Sequence, residues 1–172
     1  MKKFRILWLF IVTCMLMGCQ SNLKYGVSSI EHGQYDKAIE YFQTDVDKGR
    51  NLGEAYRGIG IARYEKEEYD LAIEAFEAAL ANEAKPTATL YNLMANSYYK
   101  VEKLEDALKY YDFVLEMEDC DPELTQSVKY NEIAICQQLG DWNAVKEKVA
   151  DYVEAYPDDT RMDKTVDFLK TR

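Results

Sequence analysis

The sequence predicts an all-α fold in which short amphipathic helices pair into hairpins that stack side by side. Helix-forming residues dominate the 172-residue chain, which has only three prolines and eight glycines and no alternating β-branched run of useful length. In residues 56–79, apolar side chains recur at spacings of 3, 4 and 7 on either side of a polar turn. That spacing is typical of two helices that each carry one apolar stripe.

A set of four positions recurs along the chain at an interval of about 34 residues. Small residues occupy the first and third positions, and large, mostly aromatic residues occupy the second and fourth. The three copies are Gly26, Tyr35, Ala38 and Phe42; Gly60, Tyr69, Ala72 and Phe76; and Ala95, Leu104, Ala107 and Tyr111. A fourth, looser copy at a slightly longer interval includes Trp142 and Val145.

This pattern resembles the tetratricopeptide repeat. The resemblance extends over nearly everything after Gly18 and implies a right-handed superhelical solenoid of about four helical hairpins plus a C-terminal capping helix. One hairpin cannot bury its apolar stripe alone, so stability would come from stacking on the next. Small residues such as Gly60 and Ala72 are expected where two helices cross, with bulky neighbours on the flanks. An unrelated helical bundle with an accidental period is the alternative.

The repeats are predicted at about residues 19–52, 53–86, 87–121 and 122–157, followed by the capping helix at 160–170. The cap would place Met162, Val166 and Leu169 on one face, where they would cover the open end of the core.

Four details concern helix ends. Asn51 with Glu54 three residues later resembles a capping box. Pro86 suits the first turn of the following helix, and Asp121 is expected to be an N-cap. The turn before Trp142 is expected to be one residue short, because only then do the apolar positions of the preceding helix fall on the repeat pattern.

The segment 1–18 is typical of an export signal. Lys2, Lys3 and Arg5 precede an uncharged apolar run over residues 6–17. This run is shorter than the roughly 20 residues of a membrane-spanning helix.

Leu16-Met17-Gly18-Cys19 resembles the lipobox of bacterial lipoproteins. The resemblance implies removal of residues 1–18, a mature domain at 19–172, and a diacylglyceryl group on Cys19. An uncleaved signal anchor is the alternative, and either route tethers the domain to a membrane outside the cytoplasm. Gln20 after the lipidated residue would favour the outer membrane in a cell with two membranes.

The charge of the chain argues against two classes of partner. The formal net charge is −10, and without residues 1–18 it is 18 basic minus 31 acidic residues, or −13. Nucleic-acid binding needs a basic face, so it is not expected. Electrostatic adsorption to an anionic bilayer is not expected either.

No arrangement typical of catalysis or cofactor binding occurs in the sequence, so we expect no enzyme, no cofactor and no metal site. His32 is the only histidine and has no neighbouring cysteine or carboxylate pair. The acidic runs at 65–68 and 116–119 lack the alternating ligands and glycine of a calcium loop. Cys120 and Cys136 have no recognisable spacing, so two free thiols are favoured over a disulfide.

The resemblance implies that the first helix of each hairpin lines an inner, concave groove. Asparagine can hydrogen-bond a peptide backbone, tyrosine adds apolar area with a polar tip, and lysine or arginine can bind a carboxylate. The family's groove positions fall on Glu54, Arg57, Ile61, Tyr64, Glu65, Asn92, Asn96, Tyr99, Lys100 and Asn131. The paired Lys/Asn clamp that some relatives use for C-terminal carboxylates is not reproduced.

The function that the resemblance implies is that of a non-enzymatic, lipid-anchored protein-binding module of the cell envelope, a scaffold or assembly adaptor. Its groove would bind a partner peptide or helix. Two alternatives remain open. One is a permanent structural subunit that binds through the convex face, and the other is an accessory that binds cell-wall glycans.

Overall fold

The computed structural model describes residues 22–171, so the predicted signal and Cys19 lie outside the described part of the chain. These residues form nine α-helices and one 3₁₀ turn, and no strand occurs among them. The helices are α1 Leu23–Glu31, α2 Tyr35–Asp47, α3 Leu52–Glu65, α4 Tyr69–Ala81, α5 Ala88–Lys100, α6 Leu104–Glu116, α7 Pro122–Leu139, α8 Trp142–Ala155 and α9 Asp163–Lys170, with the 3₁₀ turn at Thr160–Met162.

The helices form four consecutive hairpins: α1–α2, α3–α4, α5–α6 and α7–α8. Each helix packs on its neighbours in the chain, and the first helices of adjacent hairpins also touch, α1 with α3 and α3 with α5. This is the arrangement of a solenoid, and the predicted all-α solenoid of four hairpins with a final capping helix is confirmed.

Phe42 of α2 joins the first two hairpins because its ring lies between two glycines. A Cβ added at Gly26 of α1 would lie 2.5 Å from that ring, and one added at Gly58 of α3 would lie equally close to it. Gly60 faces the ring of Phe76 of α4 in the same way. The role predicted for Gly60 is therefore corrected. Gly60 makes room for an aromatic ring and not for the backbone of a second helix.

The turn before Trp142 is one residue shorter than the corresponding turns, as predicted. Three residues separate the helices in each of the first three hairpins, whereas only Gly140 and Asp141 separate α7 from α8. Gly140 has φ +73° and ends α7, and the Asp141 carboxylate accepts a 3.1 Å hydrogen bond from the Ala144 amide at the start of α8. A left-handed glycine followed directly by an N-cap makes this short connection possible.

One of the other three expected helix ends is confirmed and two are wrong. Asp121 is the N-cap of α7 and accepts a 2.8 Å hydrogen bond from the Leu124 amide. Asn51 has φ +46° and its side chain does not cap α3, while Glu54 forms an ion pair with Arg57, so no capping box forms. Pro86 precedes the N-cap Thr87 and thus lies outside α5.

The capping helix closes the far end of the core as predicted. Met162 is buried against Val149 and Tyr152 of α8, and Val166 and Leu169 pack on the same cluster. The connection before it is fixed by Asp159, whose carboxylate accepts hydrogen bonds of 2.6 Å from both the Tyr152 hydroxyl and the Arg161 guanidinium.

Three further features bear on function. Cys136 is buried and Cys120 is half-buried, and both are free thiols. Between residues 22 and 171, no helix is long and apolar enough to span a bilayer. The same residues contain no group of three or more His, Cys, Asp or Glu side chains placed to hold a metal ion.

Candidate functional site

A cleft of about 450 Å³, here called the polar cleft, brings together five of the predicted groove residues. Three consecutive first helices contribute to it, α3, α5 and α7, together with one residue of α6. The predicted members are Tyr64, Asn96, Tyr99, Lys100 and Asn131, and the others are Tyr111, Tyr130 and Ala134. Five of the side chains that the repeat register places on the first helices therefore lie around one cleft.

The Tyr111 hydroxyl organises the floor of the polar cleft. It donates a hydrogen bond to the Asn96 side-chain carbonyl and accepts one of 3.1 Å from the Asn131 side-chain amide. Burial raises the pKa of Tyr111 to about 12, so the hydroxyl keeps its proton at neutral pH and can make both bonds. Because Tyr111 is almost fully buried, the two amides are fixed before any ligand arrives.

The rim of the polar cleft offers a cation without a counter-ion. Lys100 is exposed at the end of α5 and makes no ion pair within the described chain. Tyr99 beside it accepts a 2.8 Å hydrogen bond from Gln138 of α7. Among the described residues, the lining of this cleft includes no carboxylate. In a chain of formal charge −10, this is a locally positive and amide-rich surface.

Arg57 and Ile61 lie instead in a second depression of about 210 Å³, here called the apolar cleft. Its walls come from α1, α2 and α3 and include Val27 and the ring of Phe42. Ile61 and Tyr64 are one turn apart on α3, so the two clefts adjoin along one surface. We call the two clefts together the groove.

Three expected groove residues are not available as predicted. Arg57 pairs with Glu54, so its guanidinium is already engaged. Glu65 accepts a 3.3 Å hydrogen bond from the Tyr35 hydroxyl and thus links the first two hairpins. Asn92 is half-buried one turn before Asn96 and lines neither cleft. Cys19, the predicted lipid-attachment residue, lies outside the described residues.

Tyr111 is the important site residue that the sequence analysis assigned to packing alone. A signal was present, because Tyr111 occupies the repeat position that Phe42 and Phe76 occupy in the first two copies. A tyrosine that replaces phenylalanine at a buried position needs a hydrogen-bond partner for its hydroxyl. Gln138 carries no comparable signal in the sequence.

The comparisons with known proteins agree with this architecture. Residues 25–89, from α1 to the beginning of α5, match the model of the tetratricopeptide repeat family. No curated protein sequence matches the chain. The match covers the first two hairpins and the start of the third, and the remaining hairpins continue the same helical stack.

Three solved structures illustrate the likeness in fold. YrrB, described as a TPR protein with an unusual peptide-binding site, has a TM-score of 0.68 at 18% identity over 79% of this chain and 68% of that chain. MamA of AMB-1 has a TM-score of 0.67 at 17% identity over 81% of this chain and 74% of that chain. Pseudomonas aeruginosa pilF has a TM-score of 0.62 at 16% identity over 88% of this chain and 65% of that chain.

Proposed function

We propose that the protein is a non-enzymatic adaptor of the cell envelope, anchored through lipid on Cys19, that binds a segment of a partner protein in its groove. The observation that carries the groove assignment is the polar cleft, where Tyr111 holds two asparagine amides beside an unpaired lysine. Fixed amides suit the backbone of an extended peptide, since each amide offers both a donor and an acceptor. YrrB, whose description mentions a peptide-binding site, has a similar fold.

The chemistry of the two clefts describes the partner segment. Lys100 would form an ion pair with an acidic side chain or another anion of the ligand, because its charge has no partner in the described chain. The adjoining apolar cleft suits a branched apolar side chain that would contact Val27 and Ile61. The expected partner segment therefore combines an apolar and an acidic residue.

Crosslinking in cells tests the groove. A photoreactive amino acid in place of Tyr99 is expected to capture a discrete partner, and Lys100→Glu is expected to reduce that capture at least fivefold. Lys146→Glu is the matched control, because Lys146 is also exposed but lies on α8, away from the groove. Equal capture by both variants would rule out binding in the polar cleft.

The anchor is tested separately. Cys19→Ser is expected to abolish lipid labelling and to change membrane fractionation, since acyl chains contribute about 0.8 kcal/mol per buried methylene. Normal labelling of this variant, or a mature protein that still begins at Met1, would contradict the anchor.

The competing function is that of a structural subunit that binds through the second helix of each hairpin. Exposed apolar side chains on these helices support this alternative. Leu71 of α4 is 44% exposed and Trp142 of α8 is 42% exposed. Leu71→Asp is expected to leave capture at position 99 unchanged if the groove is the binding site. Loss of the partner in Leu71→Asp, with normal capture in Lys100→Glu, would favour the subunit instead.

A further inference from the structure

The first hairpin carries a cleft of about 280 Å³ on the side that faces away from the rest of the solenoid. One face of α1 lines it through Tyr25 and Ser28, the residue after α1 supplies His32, and α2 supplies Lys37 and Tyr41. The opposite face of α1 packs toward α3 through Leu23 and Ile30. Every residue that lines this cleft, here called the end cleft, belongs to the first hairpin, so the cleft lies at the N-terminal end of the stack.

Two described clefts adjoin the start of α1, the end cleft through Tyr25 and the apolar cleft through Leu23, and of these two only the end cleft is lined by no carboxylate among the described residues. Helix α1 begins at Leu23, shortly after Cys19, and Tyr25 lies within its first turn. The four Cα–Cα steps from Cys19 to Leu23 span at most about 14 Å when the chain is fully extended. That length keeps the start of α1 in the headgroup layer or within roughly 10 Å of it, because the headgroup regions add roughly 5–8 Å on each side of the hydrocarbon.

We infer that the end cleft rests on the phospholipid headgroup layer of the membrane that holds the anchor, with Tyr25 and Tyr41 in the interface and Lys37 directed to lipid phosphates. This inference rests on the anchor of the proposed function. It goes beyond that function because it fixes which surface of the solenoid meets the membrane and which surface stays free.

The two tyrosines have the properties that an interfacial contact needs. Tyr25 is 49% exposed, and its ring lies 5.6 Å from that of Tyr41, so the pair forms a continuous aromatic surface at the end of the stack. Tyrosine is enriched at membrane interfaces, because its ring is apolar while its hydroxyl stays hydrated.

Local charge favours this contact although the whole chain is acidic. Charges farther away than about 8–10 Å are largely screened at physiological salt. Lys24 is exposed on α1 and Lys37 lines the end cleft, whereas Glu31 lines the apolar cleft on the other side of α1. The Asp36 carboxylate accepts a 2.6 Å hydrogen bond from Lys66 of the second hairpin.

Glu40 follows Lys37 by three residues on α2. Its side chain is exposed and does not line the end cleft. The end cleft itself is lined by no carboxylate among the described residues. A phosphate that approaches Lys37 therefore meets no acidic side chain in the wall of the cleft.

Photocrosslinking to lipid in growing cells tests the inference with the full-length protein. Benzoylphenylalanine replaces Tyr25, Tyr41 or, at the opposite end of the solenoid, Trp142, and the cells are labelled with ³²P so that captured phospholipid is radioactive. Position 142 is a suitable control because Trp142 is 42% exposed in the last hairpin. The expected result is at least fivefold more phospholipid at positions 25 and 41 than at position 142.

A charge variant tests the role of Lys37. Lys37→Glu is expected to lower lipid capture at position 25 at least threefold, and Lys164→Glu, at an exposed site on α9, is expected to leave it unchanged. Equal lipid capture at positions 25, 41 and 142, or capture of a protein at position 25 instead of lipid, would overturn the inference.

The mass of the mature N-terminus, measured on the same samples, separates the two proposals. Acylated Cys19 with no excess of lipid at positions 25 and 41 would contradict only the membrane contact. Unmodified Cys19 together with no lipid capture would contradict both the anchor and the contact.

Discussion

The Asn131 side-chain amide donates a 3.1 Å hydrogen bond to the hydroxyl of Tyr111, and the two residues belong to different hairpins. The same hydroxyl donates to Asn96. One buried oxygen thus fixes two residues of the candidate binding surface and links the third hairpin to the fourth. Packing between two hairpins and the geometry of the candidate binding surface therefore depend on the same group.

Tyr111→Phe is expected to lower the free energy of unfolding by about 1 kcal/mol, because it removes both hydrogen bonds and leaves part-buried amide groups without a partner. Urea denaturation measures the loss. The ring itself should fit, since Phe42 and Phe76 occupy the equivalent positions. The same variant is expected to weaken partner capture at position 99.

Tyr130→Phe is the matched control, because Tyr130 lines the same cleft but takes no part in the hydrogen bonds of Tyr111. It should change stability by less than about 0.5 kcal/mol. An equal loss in both variants would mean that the Tyr111 hydroxyl has no special role.

Gly58→Ala is expected to destabilise the protein by about 1–2 kcal/mol, because overpacking of a core costs about 1–3 kcal/mol. The added methyl group would lie less than 3.0 Å from the Phe42 ring. The better helix propensity of alanine offsets at most about 1 kcal/mol of this loss. Urea denaturation gives the net value.

A double-mutant cycle with Phe42→Leu tests this mechanism. A smaller side chain at position 42 relieves the clash, so the combined loss should be clearly less than the sum of the two single losses. Additive losses would show that the glycine is needed for some other reason.

Asp159→Asn is expected to destabilise the C-terminal cap and to change its response to acid. Hydrogen bonds from Arg161 and then from the Tyr152 hydroxyl hold the pKa of the Asp159 carboxyl well below its usual range. A carboxyl with a lowered pKa in the folded state contributes stability that is present above its unfolded pKa, about 3.9, and is lost as the pH falls through the folded value.

Hydrogen exchange of residues 160–170 at pH 7 measures this effect, and Asp159→Asn should exchange faster there than the wild type. Asp158→Asn is the control, because Asp158 is the adjacent residue and is exposed. Unchanged exchange in Asp159→Asn would mean that apolar contacts alone hold the cap.

Glu132→Gln is expected to gain stability relative to the wild type as the pH rises from about 4 to 7. Burial raises the pKa of the Glu132 carboxyl against the opposing effect of Lys148, whose ammonium lies 2.9 Å away. A raised carboxyl pKa means that the folded state holds the proton more tightly than the unfolded state. The wild type therefore loses stability as the pH rises from the unfolded pKa through the folded one, and the glutamine variant does not.

Urea denaturation at several pH values measures the difference, with Glu147→Gln at an exposed site of α8 as the control. A constant difference between variant and wild type across this pH range would contradict the raised pKa.

The architecture could be predicted from the sequence because one repeated interval carries most of its information. Positions such as Gly60 and Ala72 recur together, and recurrence fixes both the helices and their order of stacking. The helix ends at Asn51 and Pro86 could not be predicted. Asn51 is left-handed and Pro86 lies just before its helix, and both depend on the path of the backbone between hairpins.

The residues that line the candidate binding surface could be predicted in part, also for a physical reason. Helix register decides which face a residue occupies, so Asn96, Tyr99 and Lys100 could be placed together. Register does not reveal which side chains are already paired, and Arg57 is held by Glu54. That pairing was readable as an i, i+3 pair of opposite charges. The tyrosine at the repeat position of Phe42 and Phe76 signals that the Tyr111 hydroxyl needs a partner, but the sequence does not reveal that one partner, Asn131, belongs to the next hairpin.

The ring of Phe42 has one glycine neighbour, Gly26, in its own hairpin and another, Gly58, in the hairpin that follows. During synthesis, Phe42 therefore emerges from the ribosome before one of its two glycine neighbours has been made. The first hairpin can reach its final packing only after Gly58 has emerged. The packing of the first hairpin is thus completed by a residue that is made later than the hairpin itself.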